Sequence, residues 1–173
     1  IKNKYPAVRS GICTPTHQGE YFLVHQAMGE HDVFVFKDHD THLADLSLER
    51  VVQIIRAYKK RYREIAELGE CTKYIMLFHN FGKEAGASIY HPHSQIISTP
   101  ILPPDIFRSF HGARKYFKEH GRRVYDDLIT QEIKQRSRII YENERFIAFC
   151  PFASRFPYEV RIFPKDSHAH FEQ

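Results

Sequence analysis

The stretch His91-Pro92-His93-Ser94-Gln95-Ile96-Ile97 decides how this chain folds and what it carries. In an extended backbone successive side chains point to opposite faces, which puts His91, His93 and Gln95 on one face and Pro92, Ser94 and Ile96 on the other. Two imidazoles and an amide then line one wall. Upstream, residues 78–88 read Phe-His-Asn-Phe-Gly-Lys-Glu-Ala-Gly-Ala-Ser. Two glycines, an asparagine and a serine suit a loop whose backbone comes close to a ligand. A polar strand face behind such a loop points to a phosphate site. Imidazole attacks phosphorus when one ring nitrogen is unprotonated and the other N–H is held by an acceptor, a part open to a backbone carbonyl near His91. Gln95, being uncharged, donates an amide hydrogen to a phosphoryl oxygen without bringing a proton to the leaving group.

Composition sets the class. With 173 residues, 42% hydrophobic and 27% charged, the chain has the makings of a full globular core. Its formal charge of +4 comes from Lys and Arg scattered among Asp and Glu, so no nucleic-acid footprint is required, and a small anionic substrate is served equally well. Cys13, Cys71 and Cys150 are odd in number and form no C-x-x-C, which argues against a disulfide framework and for a reducing, cytoplasmic setting. The apolar runs at 74–78 and 146–152 are far too short to cross a bilayer.

Along the chain, residues 1–8 read as a short extended entry. Residues 19–27 and 32–36 read as two strands of a hairpin turning at Gly29-Glu30. Ser47 is an N-cap for a helix whose apolar positions Leu48, Val51, Val52, Ile55, Tyr58, Tyr62, Ile65 and Leu68 recur at helical spacing, with Gly69 closing it. Residues 72–78 predict a strand antiparallel to that of His91. Pro100, Pro103 and Pro104 end regular pairing and lead into a helix from about Asp105 to Gly121, followed by a helix over 122–134 and strands over 138–141 and 145–150. Glu159-Val160-Arg161-Ile162-Phe163 echoes Asp32-Val33-Phe34-Val35-Phe36, a weak internal duplication. His168-Ala169-His170 repeats the H-x-H spacing without a strand-like run after it.

The run from Asn80 to Gln95, with its H-P-H-S-Q core, resembles the histidine triad superfamily and, within its nucleotidyltransferase branch, the galactose-1-phosphate uridylyltransferase family. That resemblance implies an α+β fold: a histidine-triad-like antiparallel sheet with packed helices, in a duplicated unit. The first unit, with the catalytic motif, is expected over 1–121; a connecting helix and the start of a second unit, breaking off at Gln173, over 122–173. The resemblance makes His93 the nucleophile that takes up a uridylyl group from a UDP-sugar, assisted by Gln95 and His91. It assigns phosphate contacts to Asn80, Gly86, Ser88 and Gln95, and a nucleoside contact to Asn3. His39 matches a family histidine that binds structural zinc together with the first histidine of H-P-H, here His91. The other two ligands in that family are a cysteine pair upstream of the position matched by Ile1.

The function so implied is transfer of UMP between hexose 1-phosphates, with a nucleotide sugar and a sugar 1-phosphate as partners. Homodimers are common in the family, and the sequence bears on that neither way. Lys4 stands where the uridylyltransferases carry an acidic residue for the ribose, which leaves the base open between uracil and adenine. The alternatives are an adenylyl-transferring ADP-glucose or diadenosine tetraphosphate phosphorylase, which shares H-x-H-x-Q, and a non-catalytic nucleotide-binding homologue.

Overall fold

The computed structural model describes residues 1–173 apart from Ile12, His25, Glu70, Ser88 and Gln173. The fold is α+β, and the chain forms two compact units that part between Pro103 and Pro104. The helix that follows Pro103, which the sequence grouped with the first unit up to residue 121, therefore belongs to the second.

The first unit is built on a three-stranded antiparallel sheet. β1 (His31–Val35) and β2 (Tyr74–His79) flank the central β3 (His93–Thr99). The pairing puts Val35 opposite His93, Val33 opposite Gln95 and His31 opposite Ile97; across the other edge, Phe78 faces Gln95 and His79 faces Ser94. Alternation sorts this sheet into two faces. Ser94, Ile96 and Ser98 are fully buried, and with Asp32 and Phe34 they look toward α1 (Leu48–Ala66). His31, Val33, Val35, His93 and Gln95 share the opposite face.

Helix α1 begins where predicted: the Ser47 hydroxyl accepts the Arg50 amide hydrogen, satisfying one of the orphan N–H groups of the first turn. Tyr58 and Ile65 are its buried anchors, and the Tyr58 ring meets Phe34 edge to face with centroids 4.8 Å apart. The predicted apolar stripe is only partly used, since Leu48, Val52, Ile55 and Leu68 are exposed. Arg61 ties the helix to the sheet edge, donating from Nε to Asp32 at 2.6 Å and from a terminal nitrogen to Glu30 at 3.2 Å.

The hairpin expectation is corrected. Thr16–Gln18 and Phe22–Val24 pair with each other in a separate two-stranded ribbon, turning at Gly19 with φ +70°, and β1 pairs with β3 instead. Period-2 patterning identifies strands but not partners, and the Gly19 turn closes the ribbon locally. The outer edge of β1 takes up the N-terminal residues: Ile1 and Val33 exchange backbone hydrogen bonds and Asn3 N–H donates to the His31 carbonyl. A second correction concerns the cysteines. Cys13 and Cys71 form a disulfide across 58 residues, while Cys150 is free. A pair so distant in sequence leaves no spacing signal, because only the folded chain brings together the loop before the ribbon and the turn before β2.

The second unit packs helix Val124–Gln135 against a meander of Ile139–Glu142, Phe146–Phe149 and Arg161–Pro164 around Ile129, Ile147 and Phe149. Helix Pro104–His120 precedes them. Glu132, almost fully buried, receives a two-pronged hydrogen bond from Arg138 at 3.0–3.1 Å. No helix among the described residues is long and apolar enough to cross a membrane.

Gly29 sets the entry to β1. Its φ is +152°, and a Cβ there would overlap the Ser98 carbonyl oxygen. Gly29→Ala is expected to cost at least about 2 kcal/mol through backbone strain and the forced displacement of β1 from β3, read as a lower urea midpoint with unchanged slope.

Candidate active site

Every predicted site residue among those described lies in the first unit. His93 opens β3 and is 7% exposed. Its Nδ1 lies 2.9 Å from the His91 carbonyl oxygen. A carbonyl only accepts, so Nδ1 carries the hydrogen, and in the neutral ring the lone pair is then on Nε2. This is the tautomer a nitrogen nucleophile needs.

Pro92 explains how the preceding residue is held. The Phe36 amide donates to the Pro92 carbonyl at 3.2 Å, continuing the β1–β3 ladder one step past His93. The reciprocal bond cannot form, because proline has no N–H to offer the Phe36 carbonyl. His91 Nε2–H supplies it instead, at 2.7 Å. His91 thus stands just before the strand rather than on its face, and its ring fills a gap in the ladder while its own carbonyl orients His93. Its remaining nitrogen, Nδ1, keeps a lone pair. The His39 ring crosses the His91 ring at 77° with centroids 4.5 Å apart. Among the described residues no group of three or more His, Cys, Asp or Glu gathers as a metal cluster.

Behind His93, Ser94 is fully buried and its hydroxyl bonds to both the Tyr58 hydroxyl and His79 Nδ1, the latter at 2.9 Å. His79 stacks on Phe36, and its buried Nε2 has no hydrogen-bond partner among the described residues. Desolvation pushes the His79 pKa below the ordinary histidine value of 6.5, with the nearby His42 and His93 rings adding to the shift, while a backbone hydrogen bond at His93 opposes it.

The loop over 80–92 connects β2 to β3. Asn80 follows directly on the His79–Ser94 pair, so it leaves the sheet beside His93. Gly82 and Gly86 both take φ +80°, and two short turns close the loop: Gly86 N–H donates to Lys83 and Ala87 N–H to Gly82. A Cβ on Gly86 would come within 3.8 Å of Asn80 Nδ2, so Asn80 and Gly86 are neighbours. Ser88 lies outside the described residues. Asn3 joins the site through another residue. Its amide nitrogen is 3.1 and 3.5 Å from the two ring nitrogens of His31, and His31 Nε2 is 2.9 Å from Gln95 Oε1. The sequence did not single out His31. Its alternation with Val33 and Val35 puts it on the right face, but only the β1–β3 register shows that it reaches Gln95.

Residues 1–103 match the family described as galactose-1-phosphate uridyl transferase, N-terminal domain. The chain is 34% identical to an ADP-glucose phosphorylase of Arabidopsis thaliana over 99% of its length and 48% of that protein. It is 34% identical to a galactose-1-phosphate uridylyltransferase of Thermotoga maritima over 95% of its length and 52% of that protein. A solved structure of an ADP-glucose phosphorylase from Arabidopsis thaliana with bound ADP-glucose superimposes with a TM-score of 0.81 at 31% identity, covering 99% of this chain and 52% of that one. The chain spans about half the length of the curated relatives it matches.

A depressed folded-state pKa at His79 makes the unfolded chain bind the extra proton first, so stability falls as pH drops below about 6.5. In urea titrations between pH 7.5 and 5.5, the wild-type stability is expected to fall more steeply with acidification than that of His79→Gln, the difference being one titrating group.

Proposed function

The chain belongs to the galactose-1-phosphate uridyl transferase family, and on that basis we propose that it carries the nucleophile of a nucleotidyltransferase working through a covalent nucleotidyl-histidine. The observation that carries the reading is the Nδ1–H of His93 on the His91 carbonyl, which puts the lone pair of the neutral ring on Nε2. In the first half-reaction Nε2 forms a bond to the α-phosphorus of a nucleotide sugar. The bond from that phosphorus to the bridging oxygen breaks, and its electron pair leaves with the sugar 1-phosphate. The resulting imidazolium is stabilised by the same carbonyl dipole. In the second half-reaction a phosphate oxygen of the acceptor attacks, and the P–N electrons return to Nε2. No net proton moves, which suits a site lined by amides rather than acids. Gln95 donates to the phosphoryl oxygens, and Asn80 with the backbone at Gly86 holds the phosphates; Ser88 is assigned the same role. Asn3 is assigned to the nucleoside side.

The first choice of reaction is UMP transfer between hexose 1-phosphates, with a nucleotide sugar and a sugar 1-phosphate as partners. The similarity to an ADP-glucose phosphorylase over 99% of the chain supports a second reading, in which AMP passes to inorganic phosphate. For zinc, the crossed His39 and His91 rings, with the Nε2 of His91 engaged by the Phe36 carbonyl and its Nδ1 the other ring nitrogen, suit two donors of a tetrahedral structural site that other ligands complete. Zinc there would hold His91, and through its carbonyl His93, in place. We also propose that the second compact unit begins a repeat of the first.

Intact mass measured after brief incubation of the full-length protein with UDP-glucose, and in parallel with ADP-glucose, without acid quench, tests the reading. A uridylyl adduct that is absent in His93→Ala and discharged by hexose 1-phosphate is expected. An adenylyl adduct discharged by inorganic phosphate selects the second reading, and no adduct with either overturns both.

A further inference from the structure

We infer that His31 is a positioning residue that fixes which edge of the Gln95 carboxamide faces the phosphoryl group. The inference rests on the nucleotidyl-histidine reading above. The Ala7 amide N–H points at His31 Nδ1, 3.0 Å away. A backbone amide only donates, so Nδ1 is the acceptor nitrogen and Nε2 carries the ring hydrogen. That hydrogen lies on the nitrogen 2.9 Å from Gln95 Oε1. The carboxamide oxygen is thereby engaged, and its NH2 occupies the opposite edge.

The register says where that edge looks. His31 pairs with Ile97, two residues beyond Gln95, whereas His93 stands two residues before it on the same face. Oxygen held toward residue 97 turns the NH2 toward His93. A carboxamide is nearly isosteric with its own flipped form, so packing alone does not choose between the two. Val33 and Phe78, which flank Gln95 across the two ladders, offer only apolar side chains and choose no better. Without His31 the flipped form presents a carbonyl dipole to an anionic phosphoryl group, repelling the charge that the NH2 would stabilise.

His31 is itself fixed from the N-terminal side. The Asn3 amide nitrogen is close to both ring nitrogens at once, a position that an approach along the ring edge cannot reach without a clash, so it packs over the ring face. The Asn3 Oδ1 in turn accepts the Tyr5 amide. The segment assigned to the nucleoside is therefore linked through one imidazole to the group assigned to the phosphate.

The test uses two replacements of equal length in the full-length protein. His31→Gln keeps an N–H where Nε2 was, and His31→Glu, ionised at pH 8, offers only acceptors. Each is made in the wild-type and Gln95→Ala backgrounds, and the single-turnover rate of adduct formation is measured at saturating UDP-glucose or ADP-glucose, whichever labels the wild type, beside the dissociation constant of that donor. His31→Gln is expected within about threefold of wild type and His31→Glu at least about tenfold slower at saturation. In Gln95→Ala the two should differ by less than about twofold, because nothing is left to orient. A Glu-to-Gln difference that persists undiminished in Gln95→Ala, or one confined to donor affinity, overturns the inference while leaving the adduct chemistry standing. A wild-type protein that forms no adduct overturns the reading beneath it as well.

Discussion

Pro92 lacks an amide hydrogen, and the arrangement of the site follows from that lack. At this step of the β1–β3 ladder the Phe36 carbonyl has no backbone donor, and a carbonyl left unpaired in a half-buried strand edge costs about 1–3 kcal/mol. The His91 imidazole answers it at 2.7 Å. In doing so the ring is pinned to β1, its tautomer is set, and its backbone carbonyl is left directed at His93 Nδ1 at 2.9 Å. One missing hydrogen thus orders two imidazoles in sequence.

The central strand works through its two faces. Toward α1 it buries Ser94, Ile96 and Ser98, and the polar members of that set are satisfied by Tyr58, His79 and the Glu30 amide. Toward the site it shows His93 and Gln95. A side chain that carries chemistry needs a backbone that does not move, and here His93 and Gln95 alternate with residues locked into the core behind them. The flanking strands contribute unequally. β2 delivers the glycine loop, while β1 contributes His31 and, along its outer edge, the pairing that brings Ile1 to Asn3 alongside.

Local chemistry was legible in the sequence to the extent that it is local. Ser47 capping α1, the strand at residue 74, the glycine loop ahead of H-P-H and the acceptor near His91 are all relations between neighbours in the chain, and the α+β class follows from them together with the family resemblance. What was not legible depends on pairing partners. The hairpin was assigned between 19–27 and 32–36 because alternation does not say which strand lies next to which. The His31–Gln95 contact, 64 residues apart, is a consequence of strand register, and the Cys13–Cys71 bond, 58 residues apart, of the folded chain bringing a loop and a turn together. The exposed members of the α1 stripe follow from the same limit, since periodicity marks a face without saying how much of it a three-stranded sheet can cover.

The chemistry proposed for His93 requires the Nδ1–H tautomer with Nε2 unprotonated. Long-range proton–nitrogen correlation spectra of protein labelled with nitrogen-15 histidine, assigned by comparison with His93→Gln, measure this directly at neutral pH. A protonated Nδ1 and a pyridine-like Nε2 are expected for that ring; an Nε2–H tautomer or a doubly protonated ring at neutral pH would overturn this assignment.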